Sequence, residues 1–281
     1  MISATTKLIG LIGWPVEHSL SPAMQNAALG DSGFNCVYVP LPVDPDKLGD
    51  AVAGLRAFNF LGANVTVPHK EKVMRYLDEI HPDARRIGAV NTIVAKEGRL
   101  VGYNTDAGGF TAALLRHHFD PLDKNAIIFG AGGAARAIVH SLIAGKCAGI
   151  TIGTRSGDKA EKFAADFGEF TAIRGYSWDS PEFRRAHWDV DLLVNTTPVG
   201  MDGIKDKSLP VYWTDVPLTT FAADTVYNPP LTAFLRQARL RGCRGMNGLA
   251  MLVEQGALSF ELWLGETPHR EIMYETLVQK I

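Results

Sequence analysis

Asn125-Ala126-Ile127-Ile128-Phe129-Gly130-Ala131-Gly132-Gly133-Ala134-Ala135-Arg136 decides the fold, because an apolar run passes without a break into a glycine turn and then into a helical pattern. The run predicts a buried strand over Ala126–Gly130, and the periodicity beyond it predicts a helix over Ala134–Ala144. The turn fits G-x-G-x-x-(G/A), with Ala135 in the third position. The first glycine makes the tight turn, and the second lets backbone approach a pyrophosphate. A small third residue allows close helix–strand packing, and the helix N-terminus faces the anion. Such a pattern alone also describes a turn with no ligand. The readable strand before it and helix after it favour a dinucleotide site built from Gly130, Ala131, Gly132, Gly133 and Ala134.

The next strand, Ile150–Thr154, ends in Thr154-Arg155-Ser156. An NAD enzyme carries Asp or Glu at this point, roughly 20 residues beyond the glycines. No acid stands there. Arg155 has the geometry to stack on adenine and pair with a 2′-phosphate, and Thr154 and Ser156 offer hydroxyls. Lys159 adds positive charge and Asp158 mildly opposes it. A solvated arginine after a strand is the plain alternative, but the placement points to NADP.

Outward from this core, short apolar runs alternate with helical patterns along the whole chain, which is the signature of βαβ units. On the N-terminal side, strands are expected at Lys7–Ile12, Val37–Leu41, Gly62–Val67, Thr92–Lys96 and Leu100–Tyr103, with helical patterns at Pro22–Gly30, Pro45–Phe58 and Glu71–Leu77. On the C-terminal side the strands are Leu192–Asn195, Phe221–Val226 and a short one near Cys243–Gly245, with helices at Lys159–Phe167 and Thr232–Arg241. The helical stretches Gly248–Trp263 and Arg270–Lys280 have no strand of their own. The expected fold is α/β in two domains. Residues 1–105 form a mixed or parallel α/β substrate-binding and catalytic domain, and residues 106–247 a Rossmann-like NADP-binding domain. The C-terminal helices, 248–281, pack back on the first domain, which predicts a cleft with hinges near Tyr103–Asp106 and Gly245–Gly248.

Composition narrows the function. A length of 281 residues fits about two domains at roughly 150 residues each. A net charge of −2 argues against a nucleic-acid or membrane-surface binder. No apolar run approaches the roughly 18 residues of a membrane span, and no signal peptide is readable. Cys36, Cys147 and Cys243 are widely spaced and in no metal-ligand pattern, as in a cytoplasmic protein without a metal.

Two further stretches carry polar chemistry. In Asn64-Val65-Thr66-Val67-Pro68-His69-Lys70, proline ends a strand and a lysine follows at the rim, where α/β folds place reactive groups. Taken alone, Lys70 reads as an exposed lysine opening a helix. In Gly13–Pro22, Ser21 reads as an N-cap and Pro22 as a first helical residue, so hydroxyls gather at a helix N-terminus suited to a carboxylate. A simple helix cap explains that stretch equally.

With these blocks together, the chain resembles shikimate dehydrogenases over essentially its whole length. The resemblance is carried by Gly13–Pro22, Gly62–Lys70, Gly88-Ala89-Val90-Asn91-Thr92, Gly102–Asp106, Gly130–Arg136, Asn195–Met201, Asp224–Pro229 and Gly248–Gln255. Each block is modest; all of them in one order are highly specific. The resemblance implies reversible hydride transfer between NADPH and the 3-keto group of 3-dehydroshikimate, on the route to chorismate and the aromatic amino acids. It implies a catalytic pair, Lys70 and Asp106, although Asp106 by itself reads as a cap for a helix over Ala107–His117. It implies that Ser19 and Ser21 hold the substrate carboxylate with Tyr227 near it. Asn64, Thr66, Asn91, Asp106 and Gln255 would bind ring hydroxyls or orient the pair. Thr225, Gly248 and Met251 would lie beside the nicotinamide, and Met251 reads equally as core.

The chain departs from the family pattern at Gln25, where histidine is frequent, and at Thr154-Arg155-Ser156, where Asn-Arg-Thr is usual. His18 reads as structural. A close alternative is a quinate/shikimate dehydrogenase preferring NAD. Arg155 without a neighbouring acid points to NADP, and serine rather than threonine at Ser21 points to shikimate. An alternative from another class is a non-catalytic NADP-binding sensor, which would be free to lose Lys70 or Asp106; both are present. The expected partner is a small-molecule substrate, with the chain a monomer or homodimer.

Overall fold

Lys7–Gly13 (β1) is buried almost without interruption from Ile9 onward, as a parallel strand covered on both faces must be. The computed structural model describes residues 2–168, 172–205 and 208–281. It divides into two units, Met1–Gly109 with Leu252–Lys280, and Phe110–Met251.

In the first unit, β1 is followed by α1 (Ser21–Asp31), β2 (Cys36–Pro42), α2 (Leu48–Ala57), β3 (Gly62–Val65), β4 (Glu79–Ile80), α3 (Pro82–Ile87), β5 (Thr92–Lys96) and β6 (Arg99–Tyr103). The sheet order is β2-β1-β3-β5-β6-β4. β1 pairs in parallel with β2 and β3, whereas β3–β5 and β5–β6 are antiparallel, so the sheet is mixed. Leu48, Val52 and Leu55 of α2 pack on Ile12, Val65 and Ile93 to make one core.

Three expectations shift here. The strand ends at Val65 rather than Val67, whose side chain is exposed. The helical pattern at Pro45–Phe58 divides into a 3₁₀ turn, Pro45–Lys47, and α2. The helix expected at Glu71–Leu77 is a 3₁₀ helix, Lys72–Tyr76. Its flanks are pinned, because the Lys70 carbonyl accepts from Val90 N–H and Asp78 N–H donates to Leu100, which leaves room only for tight turns.

The chain enters the second unit within α4 (Asp106–Arg116). Next come β7 (Asn125–Phe129), α5 (Gly133–Ala144), β8 (Gly149–Thr154), α6 (Gly157–Ala165), β9 (Ala172–Ser177), α7 (Pro181–Ala186), β10 (Leu192–Asn195), β11 (Phe221–Asp224), α8 (Ala233–Arg241) and β12 (Arg244–Met246). The sheet is parallel in the order β12-β11-β10-β7-β8-β9. The winding therefore reverses between β7 and β10, and in such sheets ligands bind outside the carboxyl ends of the strands at the reversal. Apolar clusters fill both faces, one around Ile138 and Leu142 of α5 and one around Phe183 of α7 and Phe234 of α8.

The chain returns to the first unit within α9 (Leu249–Leu264) and ends with α10 (Arg270–Val278), which packs on α1. Trp263 near the end of α9 donates from Nε1 to the Ile93 carbonyl at 2.9 Å. This contact needs bare backbone at Gly62, where a Cβ would stand 2.1 Å from that same carbonyl oxygen.

Candidate active site

Lys70 is held by its backbone and by its neighbour. Its carbonyl accepts from Val90 N–H at 2.8 Å, which ties it to the segment carrying Asn91. His69 is completely buried and donates from Nε2 to the Val43 carbonyl at 2.7 Å, so the turn at Pro68 is bolted to the loop after β2. The lysine head then lies where its Nζ donates to Asp106 Oδ2 at 2.6 Å.

Asp106 opens α4, but it does not cap it. Asn104 Oδ1 accepts from Asp106 N–H at 3.0 Å and from Ala107 N–H at 3.4 Å, while Asn104 Nδ2 donates to the Ala89 carbonyl at 2.9 Å. The cap is thus supplied two residues upstream, and the Asp106 carboxylate is released for other partners. Its Oδ1 accepts from Asn91 Nδ2 at 2.8 Å. The acid is the more enclosed member of the pair, with a side chain 7% exposed against 18% for Lys70.

The orientation of Asn91 follows from what surrounds it. Thr105 N–H reaches Asn91 Oδ1 at 2.8 Å, and a backbone N–H can only donate. The carbonyl end of the amide must therefore face Thr105, and the NH₂ end must face Asp106. Gln255 stands beside it, with Oε1 3.4 Å from Asn91 Nδ2 and its own Nε2 donating to the Leu252 carbonyl at 2.8 Å. Gly109 allows this approach of α9 to α4, since a Cβ there would come within 2.7 Å of Gln255 Cβ and N.

Asn64 is turned inward. Its Oδ1 accepts from the Tyr38 hydroxyl at 2.8 Å, and its Nδ2 donates to the Asn91 carbonyl, Thr92 Oγ1 and Ser259 Oγ at 3.0–3.1 Å. Its carboxamide is spent on bracing the site, whereas Thr66, two residues on, is only half-buried. Burial raises the pKa of Tyr38, keeping its hydroxyl a neutral donor.

Ser21 is the first residue of α1, and the N-cap position falls to Leu20, which makes no side-chain cap. The expected cap is therefore corrected. The Ser19 hydroxyl accepts from Ser21 N–H at 3.3 Å, and the Ser21 hydroxyl is not used to close the helix end.

In the second unit the glycine turn lies at the point of reversal. Gly130 has φ +114°, and a Cβ on it would stand 2.5 Å from Thr196 Oγ1. A Cβ on Gly132 would meet nothing within 4 Å, and α5 begins there without a side-chain cap. Open space thus lies before an uncapped helix N-terminus, the arrangement that accepts a pyrophosphate. A cavity of about 570 Å³ extends from Gly130 and Gly132 to Thr154, Arg155, Ser156 and Lys159, and none of the described residues lining it is acidic. The residues present fit an NADP molecule on these grounds. Thr154 plays a narrower part than a free hydroxyl would, because its Oγ1 donates to the Ser156 carbonyl at 2.6 Å and shapes the turn. Thr225, Tyr227, Gly248 and Met251 also belong to this unit.

Several supporting residues escaped the sequence reading. Asn195 and Asp224 are register partners at the ends of β10 and β11, and Asn195 Nδ2 donates to Asp224 Oδ1 at 2.8 Å. Asn195 Oδ1 holds Thr197 through its N–H and hydroxyl, at 2.9 and 2.7 Å. Asp224 holds the next loop through Val226 N–H and the Thr232 hydroxyl, at 2.9 and 2.6 Å. Burial pushes the Asp224 carboxyl up to about 6, against these hydrogen bonds, which favour its charge. Both residues stand in sequence blocks already singled out, but nothing in spacing distinguishes a brace from a ligand contact. His69 and Asn104 were hidden in the same way. Among the described residues, no cluster of three or more His, Cys, Asp or Glu could hold a metal ion, and no helix is long and apolar enough to cross a membrane.

Comparison with known proteins bears on the same regions. Residues 11–93 match the family model described as the shikimate dehydrogenase substrate binding domain, and residues 248–278 match the shikimate 5′-dehydrogenase C-terminal domain. A shikimate dehydrogenase (NADP⁺) from Desulforamulus reducens is 46% identical, covering 100% of this chain and 97% of the relative. A crystal structure of a shikimate dehydrogenase in complex with NADP⁺ superposes with a TM-score of 0.92 at 41% identity, covering 100% of this chain and 98% of the other. The Thermus thermophilus shikimate 5-dehydrogenase, in complex with NADP(H) and shikimate, superposes with a TM-score of 0.88 at 36% identity, covering 98% and 100%.

Proposed function

The chain belongs to the shikimate dehydrogenase family, and we propose that its own reaction is the reversible, NADP-dependent reduction of 3-dehydroshikimate to shikimate in the formation of chorismate and aromatic amino acids. The observation that carries this reading is the Lys70–Asp106 pair, 2.6 Å apart and framed by neutral hydrogen-bonding side chains. NADPH supplies the hydride when bound.

The residues of the first unit manage the proton. As a ketone is reduced, negative charge develops on its oxygen, and a lysine ammonium placed there both stabilises that charge and donates the proton. Asp106 holds Lys70 in position, and Asn91 and Asn104 hold Asp106. In the oxidation direction the same lysine takes up the hydroxyl proton. Ser19 and Ser21 receive the substrate carboxylate at the start of α1, while Thr66, Asn91 and Gln255 meet ring hydroxyls. Asn64 serves by orienting its neighbours.

The second unit holds the cofactor. Gly130–Ala134 cradle the pyrophosphate, and Arg155, Ser156 and Lys159 take the 2′-phosphate, which a carboxylate at that place would repel. Thr225, Gly248 and Met251 flank the nicotinamide. Substrate and catalysis fall to residues 1–109 with 252–280, and the cofactor to residues 110–251. The protein works in the cytoplasm on a small molecule, as a monomer or homodimer, and its three unbridged cysteines suit a reducing compartment.

Initial rates for shikimate or quinate with NADP⁺ or NAD⁺ test this reading. Shikimate with NADP⁺ is expected to give the highest kcat/KM of the four combinations. Quinate with NAD⁺ in first place would replace the proposed activity by that of an NAD-preferring quinate dehydrogenase.

A further inference from the structure

Ser259 lies on α9 one turn beyond Gln255 and is completely buried. Its hydroxyl donates to the Gln255 carbonyl at 3.0 Å and accepts from Asn64 Nδ2 at 3.0 Å. It also stands 2.8 Å from Thr92 Oγ1 and 3.1 Å from Thr105 Oγ1, and the two threonine oxygens are 3.3 Å apart. Three hydroxyls from β5, from the loop after β6 and from α9 thus close a triangle. Both threonine hydroxyls reach one further atom, Asn91 Oδ1, at 3.0 and 3.2 Å.

Proton counting shows what the serine contributes. Each hydroxyl has one proton and two lone pairs. The Ser259 proton points to its own helix, so its lone pairs are left for Asn64 and a threonine. The threonine that donates to Ser259 has then used its one proton, so only the other can donate to Asn91 Oδ1, while Thr105 Oγ1 also accepts from Asn91 Nδ2 at 2.9 Å. A serine in a helix interior gives the helix nothing that alanine would not. Its enclosed hydroxyl is justified by what it holds.

We infer that Ser259 is a positioning residue, which through Thr92 and Thr105 holds in place the Asn91 carboxamide that Thr105 N–H orients and that donates to Asp106. The inference rests on the reading of Lys70 and Asp106 as the catalytic pair. The hydrogen bonds of Ser259 run to Asn64, Thr92, Thr105 and Gln255 and not to that pair, so its effect on turnover passes through Asn91.

Ser259→Ala, Asn91→Ala and the double variant test it in the full-length protein, with shikimate and NADP⁺ as substrates. Ser259→Ala is expected to lower kcat about three- to tenfold, the effect of one enclosed hydrogen bond, and to leave the KM for NADP⁺ within about twofold. On the Asn91→Ala background it should lower kcat no further, because the residue it acts through is gone. Equal fold-losses on both backgrounds would overturn the inference. Ser259→Cys keeps the volume with a much weaker hydrogen-bonding group, and should turn over as slowly as the alanine variant. Wild-type turnover in Ser259→Cys would also overturn it, and this arm stands even where the alanine variants fail to fold. A wild-type kcat in Asn91→Ala would strike the underlying assignment of the catalytic pair, and this inference with it.

Discussion

Replacing Asp106 by asparagine is the sharpest probe of the site, because the geometry forces one outcome. Asp106 presents two acceptors to two donors, Lys70 Nζ at 2.6 Å and Asn91 Nδ2 at 2.8 Å. Asparagine has one acceptor and one NH₂ group, so one of these contacts becomes donor against donor and must open. Asn91 is 2% exposed, and its orientation is dictated by Thr105 N–H. Lys70, with a side chain 18% exposed, can turn to water. The lysine is therefore the partner released. The gross attraction lost is roughly 6 kcal/mol at an effective dielectric of about 20, but rehydration of the lysine returns most of it. Net destabilisation should be about 1–2 kcal/mol after discounting for solvent. The kinetic loss is larger, since a positioned acid–base group contributes about 10²–10⁴-fold. We expect kcat to fall by at least about 10²-fold with NADP⁺ affinity within about twofold of wild type.

The reverse substitution gives the control. Lys70→Met strands a carboxylate only 7% exposed, still held by the Asn91 side chain. Removing one partner of a buried pair costs about 3–5 kcal/mol, here reduced to about 2–3 by the partial exposure of the lysine. Initial rates of NADPH formation and urea unfolding on both variants read out the two effects. A folded Asp106→Asn or Lys70→Met protein with kcat near wild type would refute the catalytic assignment. Greater destabilisation by Asp106→Asn than by Lys70→Met would refute the burial argument.

Other predictions concern the supporting residues. Arg155→Ala should weaken NADP⁺ binding about 10- to 100-fold, as expected for lost charge-assisted hydrogen bonds, and leave NAD⁺ binding within about twofold; equal losses in a titration would end the 2′-phosphate assignment. Asp224 has a carboxyl raised by burial from its ordinary 3.8 to about 6, so the native state binds its proton more tightly than the unfolded chain does. Its contribution to stability is full below about pH 4 and is lost as pH rises through about 6, a change of at most about 3 kcal/mol. Asp224→Asn should therefore gain on the wild type across that window in urea midpoints, and a constant difference would contradict the shift. Asn104→Ala removes the cap of α4, costing about 1 kcal/mol, and invites the Asp106 carboxylate back to its own helix end. Its kcat should fall about fivefold or more, and unchanged turnover would show that the cap does not set the carboxylate.

The two kinds of structure were not equally legible in the sequence. Strands such as β7 and β10 are largely continuous apolar runs, and the turn after β7 is marked by its glycines between a readable strand and a readable helix. β9 was missed, because Ala172–Ser177 is an edge strand with exposed Arg174, and Gly175 is pressed against the Ala160 backbone. Edge strands lack the two-faced burial that writes an apolar pattern. The lysine–aspartate pair was legible only through resemblance, since 36 residues separate its members. What freed Asp106 from capping, Asn104, sits two residues before it. An asparagine ahead of an aspartate at a helix start gives no sign of which one caps.

Asn64 shows where reasoning from spacing stops. Residues two apart on a strand share a face, and from that rule Asn64 and Thr66 belong together against a polyhydroxylated ligand. The rule holds only while the strand lasts, and β3 ends at Val65. Beyond that point the two side chains answer to different neighbours. Tyr38, Thr92 and Ser259 come from three other elements and occupy both amide protons and one oxygen lone pair of Asn64. Ser259 lies 195 residues away, so no window along the chain contains both ends of this network. A buried amide whose NH₂ group is fully engaged is costly to disturb. The polar residues of the first unit therefore sort by how far the protein itself already engages them: Asn64 is held rigid, while the Ser21 hydroxyl closes no helix end and Thr66 lies half-buried beyond the strand.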